Sequence, residues 1–210
     1  MSWLQKRLRD RARKALLDDI TFDESGLTAA EAHGTTRVWR TQEGDWICLD
    51  FFALPPDLPQ AFTFPEFEAA YRGMAEAAGA RVVDLLICTI DGCGMVRSIV
   101  KVPQAPSGMI YVGVFTIPFE SFSWTVTVEC VEHGLTGVRD AVLLMEASKE
   151  GTVGFENDRI TGDWDPDNEK FDERFPEHPL SRLRRHLSSV QATLKVDDRV
   201  KGKPPFPLPV

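Results

Sequence analysis

The chain has 210 residues, 43% hydrophobic and 27% charged, with a formal net charge of −8 at pH 7. Such a chain buries enough apolar surface to fold without disulfides or metals, and its acidity argues against broad nucleic-acid binding, which needs a basic field. No run approaches the roughly 20 apolar residues that span a bilayer.

Residues 2–17, SWLQKRLRDRARKALL, place Trp3, Leu4, Leu8, Ala12, Ala15 and Leu16 at helical spacing among six basic side chains. This predicts a basic amphipathic helix. Its charges interrupt every apolar run, so no export signal is read and the protein is expected in the cytoplasm. There the four cysteines, Cys48, Cys88, Cys93 and Cys130, stay reduced. The segment Asp18–Gly34 reads as a connection with little regular structure.

A hairpin follows, with strands Thr36–Arg40 and Trp46–Phe52 about the turn Glu43-Gly44-Asp45. Three prolines between residues 53 and 60 enforce a loop. Thr63-Phe64-Pro65-Glu66 is a capping box. It opens a helix whose stripe is Phe64, Phe67, Ala70, Tyr71, Met74 and Ala78, with Gly79 stopping it.

Four strands then run without an intervening helix: Arg81–Ile90, Met95–Val102, Met109–Ile117 and Phe122–Val131. Their short connections, above all Asp91-Gly92-Cys93-Gly94, force antiparallel neighbours. Phe122, Trp124, Val126, Val128 and Cys130 alternate to one face. The middle strands are apolar on both faces, so the centre of the sheet is expected to be covered on both sides. A helix is predicted over Val138–Ser148, closed by Gly151, and an acidic turn-rich segment covers 154–177. Leu180, Leu183, Leu187, Val190 and Leu194 step by three and four, the cleanest amphipathic pattern in the chain. A proline-rich tail follows from Lys201.

These elements give an α+β fold: an antiparallel sheet of about six strands flanked by helices, an αβα sandwich with helical extensions at both ends. Three segments are expected: 1–34, a basic helix and linker; 35–151, the sandwich core; and 152–210, the acidic loop, C-terminal helix and tail.

The stretch from Trp46 to about Met145 resembles the PsbP-like fold group, which includes photosystem II extrinsic proteins, Ran-binding Mog-type proteins and bacterial DcrB-like proteins. The likeness rests on the Phe64–Ala78 helix, "GARVVD" (Gly79–Asp84) entering the next strand, the meander, and the helix after "GLTG" (Gly134–Gly137). It covers about half the chain. It implies a non-enzymatic role in binding another protein, as an adaptor, chaperone-like factor or immunity-type protein.

Catalytic and cofactor signatures do not stand out. The chain holds no phosphate-binding glycine loop and no G-x-S-x-G elbow, so no cofactor is expected and the reading leans away from an enzyme. Cys130 and His133 lie close together at a strand end, the proximity a thiolate–imidazole pair requires, and suggest a small-molecule pocket as an alternative. Asp163, Asp165, Asp167 and Glu169 alternate like the start of a calcium loop, but Asn168 and Arg174 stand where such a loop needs Gly and Glu. Whether the acidic segment 156–177 holds a cation stays open. Residues 2–17 are a second alternative, as a peripheral membrane anchor. For a protein partner, the candidate contacts are Trp3, Leu4 and Leu8 on the helix, and Trp46, Phe52, Tyr111, Phe115, Phe122 and Trp124 on a sheet face. A homodimer also stays open.

Overall fold

The computed structural model describes residues 16–156, 159–162 and 164–209. Among the described residues eleven strands are formed: β1 (Ile20–Thr21), β2 (Thr28–His33), β3 (Thr36–Arg40), β4 (Trp46–Phe52), β5 (Arg81–Ile90), β6 (Cys93–Pro103), β7 (Met109–Pro118), β8 (Ser123–Val131), β9 (Val153–Glu156), β10 (Arg159–Gly162) and β11 (Lys195–Val196). The helices are α1 (Phe64–Ala77), α2 (Val138–Glu150), α3 (Pro179–Thr193) and the single turn α4 (Asp198–Lys201).

Seven strands make one antiparallel sheet in the order β2-β3-β4-β8-β7-β6-β5. The α+β class and the flanking helices follow the sequence pattern. The extra strand comes from the segment expected to be irregular: β2 pairs with β3, and β1 pairs with β11. The β5–β6 hairpin turns at Asp91 and Gly92, both with positive φ (50° and 82°), the backbone a two-residue turn between right-twisted strands needs. The capping box is also formed, with Thr63 Oγ1 accepting from Glu66 N and Glu66 Oε2 accepting from Thr63 N.

Alternation sorts the sheet into two faces. On the inner face lie Trp39, Ile47, Leu49, Tyr111, Phe115, Trp124, Val126, Val128 and Cys130, all buried. Leu180, Leu183, Leu187 and Val190 of α3 close over them, and Leu17, Ile20 and Phe22 join the same core. The three segments expected from the sequence therefore share one hydrophobic interior. At Gly113 of β7 a Cβ would stand 2.6 Å from Leu187 Cδ1, so glycine sets how closely α3 approaches the sheet.

On the outer face α1 covers β5 and β6, where Phe67 packs with Val82, Leu85 and Val96 and Tyr71 Oη donates to Ser98 Oγ at 2.9 Å. Beyond β6 this face is open. Burial alternates along β7 and β8, with Val112, Val114, Thr116, Thr125 and Thr127 half-exposed. The expected two-sided cover thus holds for β6 and fails for β7, because α1 spans two strands and no second helix among the described residues lies beside it.

The tail from Lys201 is strapped to the body. Pro205 bridges Phe119, Phe206 is buried, and Leu208 packs against the α1 cluster.

Candidate functional site

Two places concentrate chemistry. The first is buried beneath α3. Asp45 ends the β3–β4 turn with its side chain 3% exposed, and Arg182 of α3 grips it with two bonds, Nε to Oδ2 and Nη2 to Oδ1, both 2.9 Å. His186, one turn further along α3, sets Nε2 3.2 Å from Asp45 Oδ2. The Cys130 thiol faces the same carboxylate, within 4.8 Å of it. Burial opposes the charge on Asp45, but the bonds from His186 and Arg182 outweigh it and hold the carboxyl well below the usual carboxylate range. Burial, reinforced by the Asp45 charge, pushes the Cys130 thiol far above its ordinary value.

The ligand atoms of Asp45, Cys130 and His186 all lie within 4.8 Å of one another. That spacing suits a transition metal, but the Arg182 guanidinium already occupies both carboxylate oxygens. A cation there would have to displace a buried charge and deprotonate a thiol that its surroundings keep protonated. The arrangement acts as a clamp joining the β3–β4 turn, β8 and α3.

The Cys130–His133 pocket is not formed. Strand alternation carries Cys130 inward, fully buried, while His133 is exposed on the following loop. The imidazole that reaches Cys130 is His186, remote in sequence. A 390 Å³ hollow does open beside His133, lined by Leu135, Val138, Phe175 and His178. His178 packs edge-on against Tyr111 at 5.4 Å, and burial with the Arg139 charge lowers its pKa to about 4.

Two carboxylates of the acidic segment, Asp167 and Asp172, meet cations of the protein. Asp167 pairs with Lys101 at 2.5 Å, both nearly buried. Asp172 receives Arg139 and Arg184, and Arg139, 1% exposed, also donates to the carbonyls of Pro166 and Asn168 and to Ser181 Oγ. Asp165 Oδ1 accepts from the Asp167 amide. Asp163 lies outside the described residues. These partners staple the loop to the body, and of the carboxylates in the calcium-loop reading Asp167 is taken by Lys101.

The second place is the open half of the outer face. Val38, Trp46, Cys48, Val112, Val114 and Thr127 lie there half-exposed, and Phe52 ends β4 at 47% exposure. On the loop from β4 into α1, Leu54 is 70% and Phe62 93% exposed. Of the side chains singled out from the sequence, Trp46 and Phe52 belong to this surface. Tyr111, Phe115 and Trp124 do not, since their parity points them inward and they are 2%, 0% and 1% exposed. Phe122 is half-buried on Phe119 and Trp124, beside a 240 Å³ hollow lined by Leu16, Phe51 and Val200. Trp3, Leu4 and Leu8 lie outside the described residues. Val112 and Val114 were missed because their strand read as two-sided core, and Val38 because Thr36–Arg40 read only as a short hairpin strand.

No protein-family model and no curated protein matches the chain. Among solved structures it is similar to the Ran-binding protein Mog1p of Saccharomyces cerevisiae, at 12% identity over 87% of this chain and 93% of that one, with a TM-score of 0.46. A structure of a Mog1 point mutant is similar at 12% identity over 88% and 94%, again with a TM-score of 0.46. No helix among the described residues is long and apolar enough to cross a membrane.

Proposed function

We propose that this chain is a non-enzymatic protein-binding module whose contact surface is the open half of the outer sheet face. The observation that carries the reading is the half-buried apolar strip of β3, β4, β8 and β7, with the exposed Leu54 held beside β8 by the Ser123 hydroxyl. Sheet faces normally bury their apolar side, and large exposed apolar patches mark interaction sites. The buried polar cluster supports the same reading by contrast: Cys130 is kept protonated and out of solvent, and its neighbours bond one another. Membership of the PsbP-like group, an adaptor or chaperone-like role and a cytoplasmic setting belong to this proposal.

The test is quantitative affinity purification of the full chain from its host, alongside Val114→Lys and Thr127→Lys. Loss of a stoichiometric partner in the variants, with thermal unfolding unchanged, supports the surface. A partner retained by both variants places the contact elsewhere. Recovery of the wild-type chain alone overturns the reading.

A further inference from the structure

The open face is not flat. At its β2 end a hollow of about 410 Å³ draws its lining from four strands: Ala30 of β2, Val38 of β3, Trp46 and Cys48 of β4, and Thr127 of β8. Glu31 and Glu129 complete the lining. A hollow lined by four neighbouring strands makes this part of the face concave.

The dimensions favour one kind of occupant. Four strands span three inter-strand spacings of about 4.8 Å, roughly 14 Å, and an α-helix with side chains is about 10–12 Å across. β4 has seven residues, about 23 Å of strand at 3.3 Å each, the length of a helix of about 15 residues. The same face already carries such a helix: α1, with 14 residues, lies over β5 and β6. An extended peptide is less well served. It would have to pair with β2, where the register shift between Ala29 and Glu31 interrupts the ladder.

The floor and the rim differ in character. Val38, Trp46 and Cys48 offer an apolar floor, with neutral Thr127 beside them. Around it on this face stand three carboxylates, Glu31, Asp50 and Glu129, against one guanidinium, Arg40, which lies over the Trp46 ring at 4.6 Å. Glu129 makes no ion pair among the described residues, and Glu31 meets only the exposed His33, at 3.3 Å. An apolar floor with a carboxylate rim is complementary to a helix carrying an apolar stripe between basic flanks.

We propose that this hollow receives an amphipathic helix of a partner protein, its apolar stripe on Val38, Trp46 and Cys48 and its Lys or Arg flanks against Glu31 and Glu129. The inference rests on the protein-binding reading of the same face and adds the form and charge of what binds.

Cys48 supplies a local reporter, because its thiol lines the hollow. The experiment follows alkylation of Cys48 in the full chain by mass spectrometry at pH 8.5, with Cys88 as internal control. Two synthetic 15-residue helices are added in turn, sharing one leucine stripe and flanked by Lys or by Glu. The Lys-flanked helix is expected to slow Cys48 alkylation at least ten-fold, to leave Cys88 unchanged, and to lose most of that protection in added salt. The Glu-flanked helix is expected to give none. In Glu31→Lys/Glu129→Lys, checked for native circular dichroism, the Lys helix should lose its effect. Glu129→Gln should show part of the loss without charge reversal. No protection by the Lys helix, or equal protection by both helices, overturns the inference. If a host partner is still lost on Val114→Lys while the Lys helix leaves Cys48 unprotected, the protein-binding face stands and the helix assignment falls. If neither effect is seen, both fall.

Discussion

Removing Arg182 tests the clamp beneath α3 most directly. Arg182 donates two bonds to Asp45, one to the Glu177 carbonyl and one to the Val131 carbonyl, with its side chain only 11% exposed. Arg182→Met keeps most of the stem volume but leaves the Asp45 carboxylate, 3% exposed, with His186 as its remaining side-chain partner. Breaking a buried pair from one side costs about 3–5 kcal/mol. His186 remains, so the expected loss at pH 7 is near the lower end, about 3 kcal/mol, or roughly 6–12 °C in Tm for a chain of this size. Asp45→Asn alone should cost about 2 kcal/mol, and the double variant less than the two losses combined, giving a coupling of about 2 kcal/mol. The pH dependence has a definite sign. In the native protein the folded Asp45 pKa is depressed, so its contribution is present above the unfolded value of about 3.9 and fades as pH falls below it. Without Arg182 that depression is reduced, the His186 bond remaining, and the gap between wild type and variant should narrow as pH falls below about 4. Urea unfolding followed by circular dichroism at pH 7 and pH 3.5 measures this. A loss under 1 kcal/mol at pH 7, or one independent of pH, refutes the account of the cluster as an ionic clamp.

Other outcomes follow from single features. His178 caps α3 through Nδ1, which accepts from Leu180 N at 3.3 Å, and its pKa is lowered to about 4. As pH falls below about 6.5 the unfolded chain takes up a proton that the folded chain refuses, so stability should drop by about 3 kcal/mol by pH 4. His178→Asn keeps an acceptor at the cap and should flatten this part of the stability–pH curve; an unchanged curve would assign the titration to another group. Gly113→Ala should cost about 1–3 kcal/mol by driving a methyl into Leu187, and Leu187→Val in the same chain should recover part of it in urea unfolding. Thr63→Ala should cost about 1 kcal/mol through loss of the capping box, read as a lowered Tm.

Much of the fold was legible in the chain itself. β3 to β8 are β-prone runs set between turn signals, with clear alternation in β8, and α3 carries the three-and-four leucine spacing. β2 was not legible, because TAAEAH has no large apolar residue and all six positions are exposed. It is a strand because β3 offers it an edge, a tertiary cause that no local pattern records. The same limit hid the clamp. Asp45, Cys130, Arg182 and His186 come from three separate stretches, and the local Cys130–His133 spacing pointed to the wrong imidazole. The open face was half readable. Parity along each strand separates Trp46 and Cys48 from Ile47 and Leu49, but only the β4–β8 register, with Cys48 opposite Thr127, shows which side chains gather on one surface.

The strand order has a kinetic consequence. β2-β3-β4 and β5-β6-β7-β8 are each runs of adjacent hairpins, whose contacts close quickly because the joining loops are short. They meet along a single seam, from Trp46↔Glu129 to Phe52↔Ser123, whose two edges are separated by α1 and three strands of sequence. Joining that seam is the slowest closure the sheet requires, and until it happens two unpaired edges face solvent. Val126→Ala, at the seam, should therefore slow refolding in stopped-flow fluorescence, whereas Leu85→Ala, under α1, should chiefly hasten unfolding. The same seam that completes the seven-stranded sheet makes its two halves vulnerable to pairing with other chains before they find each other.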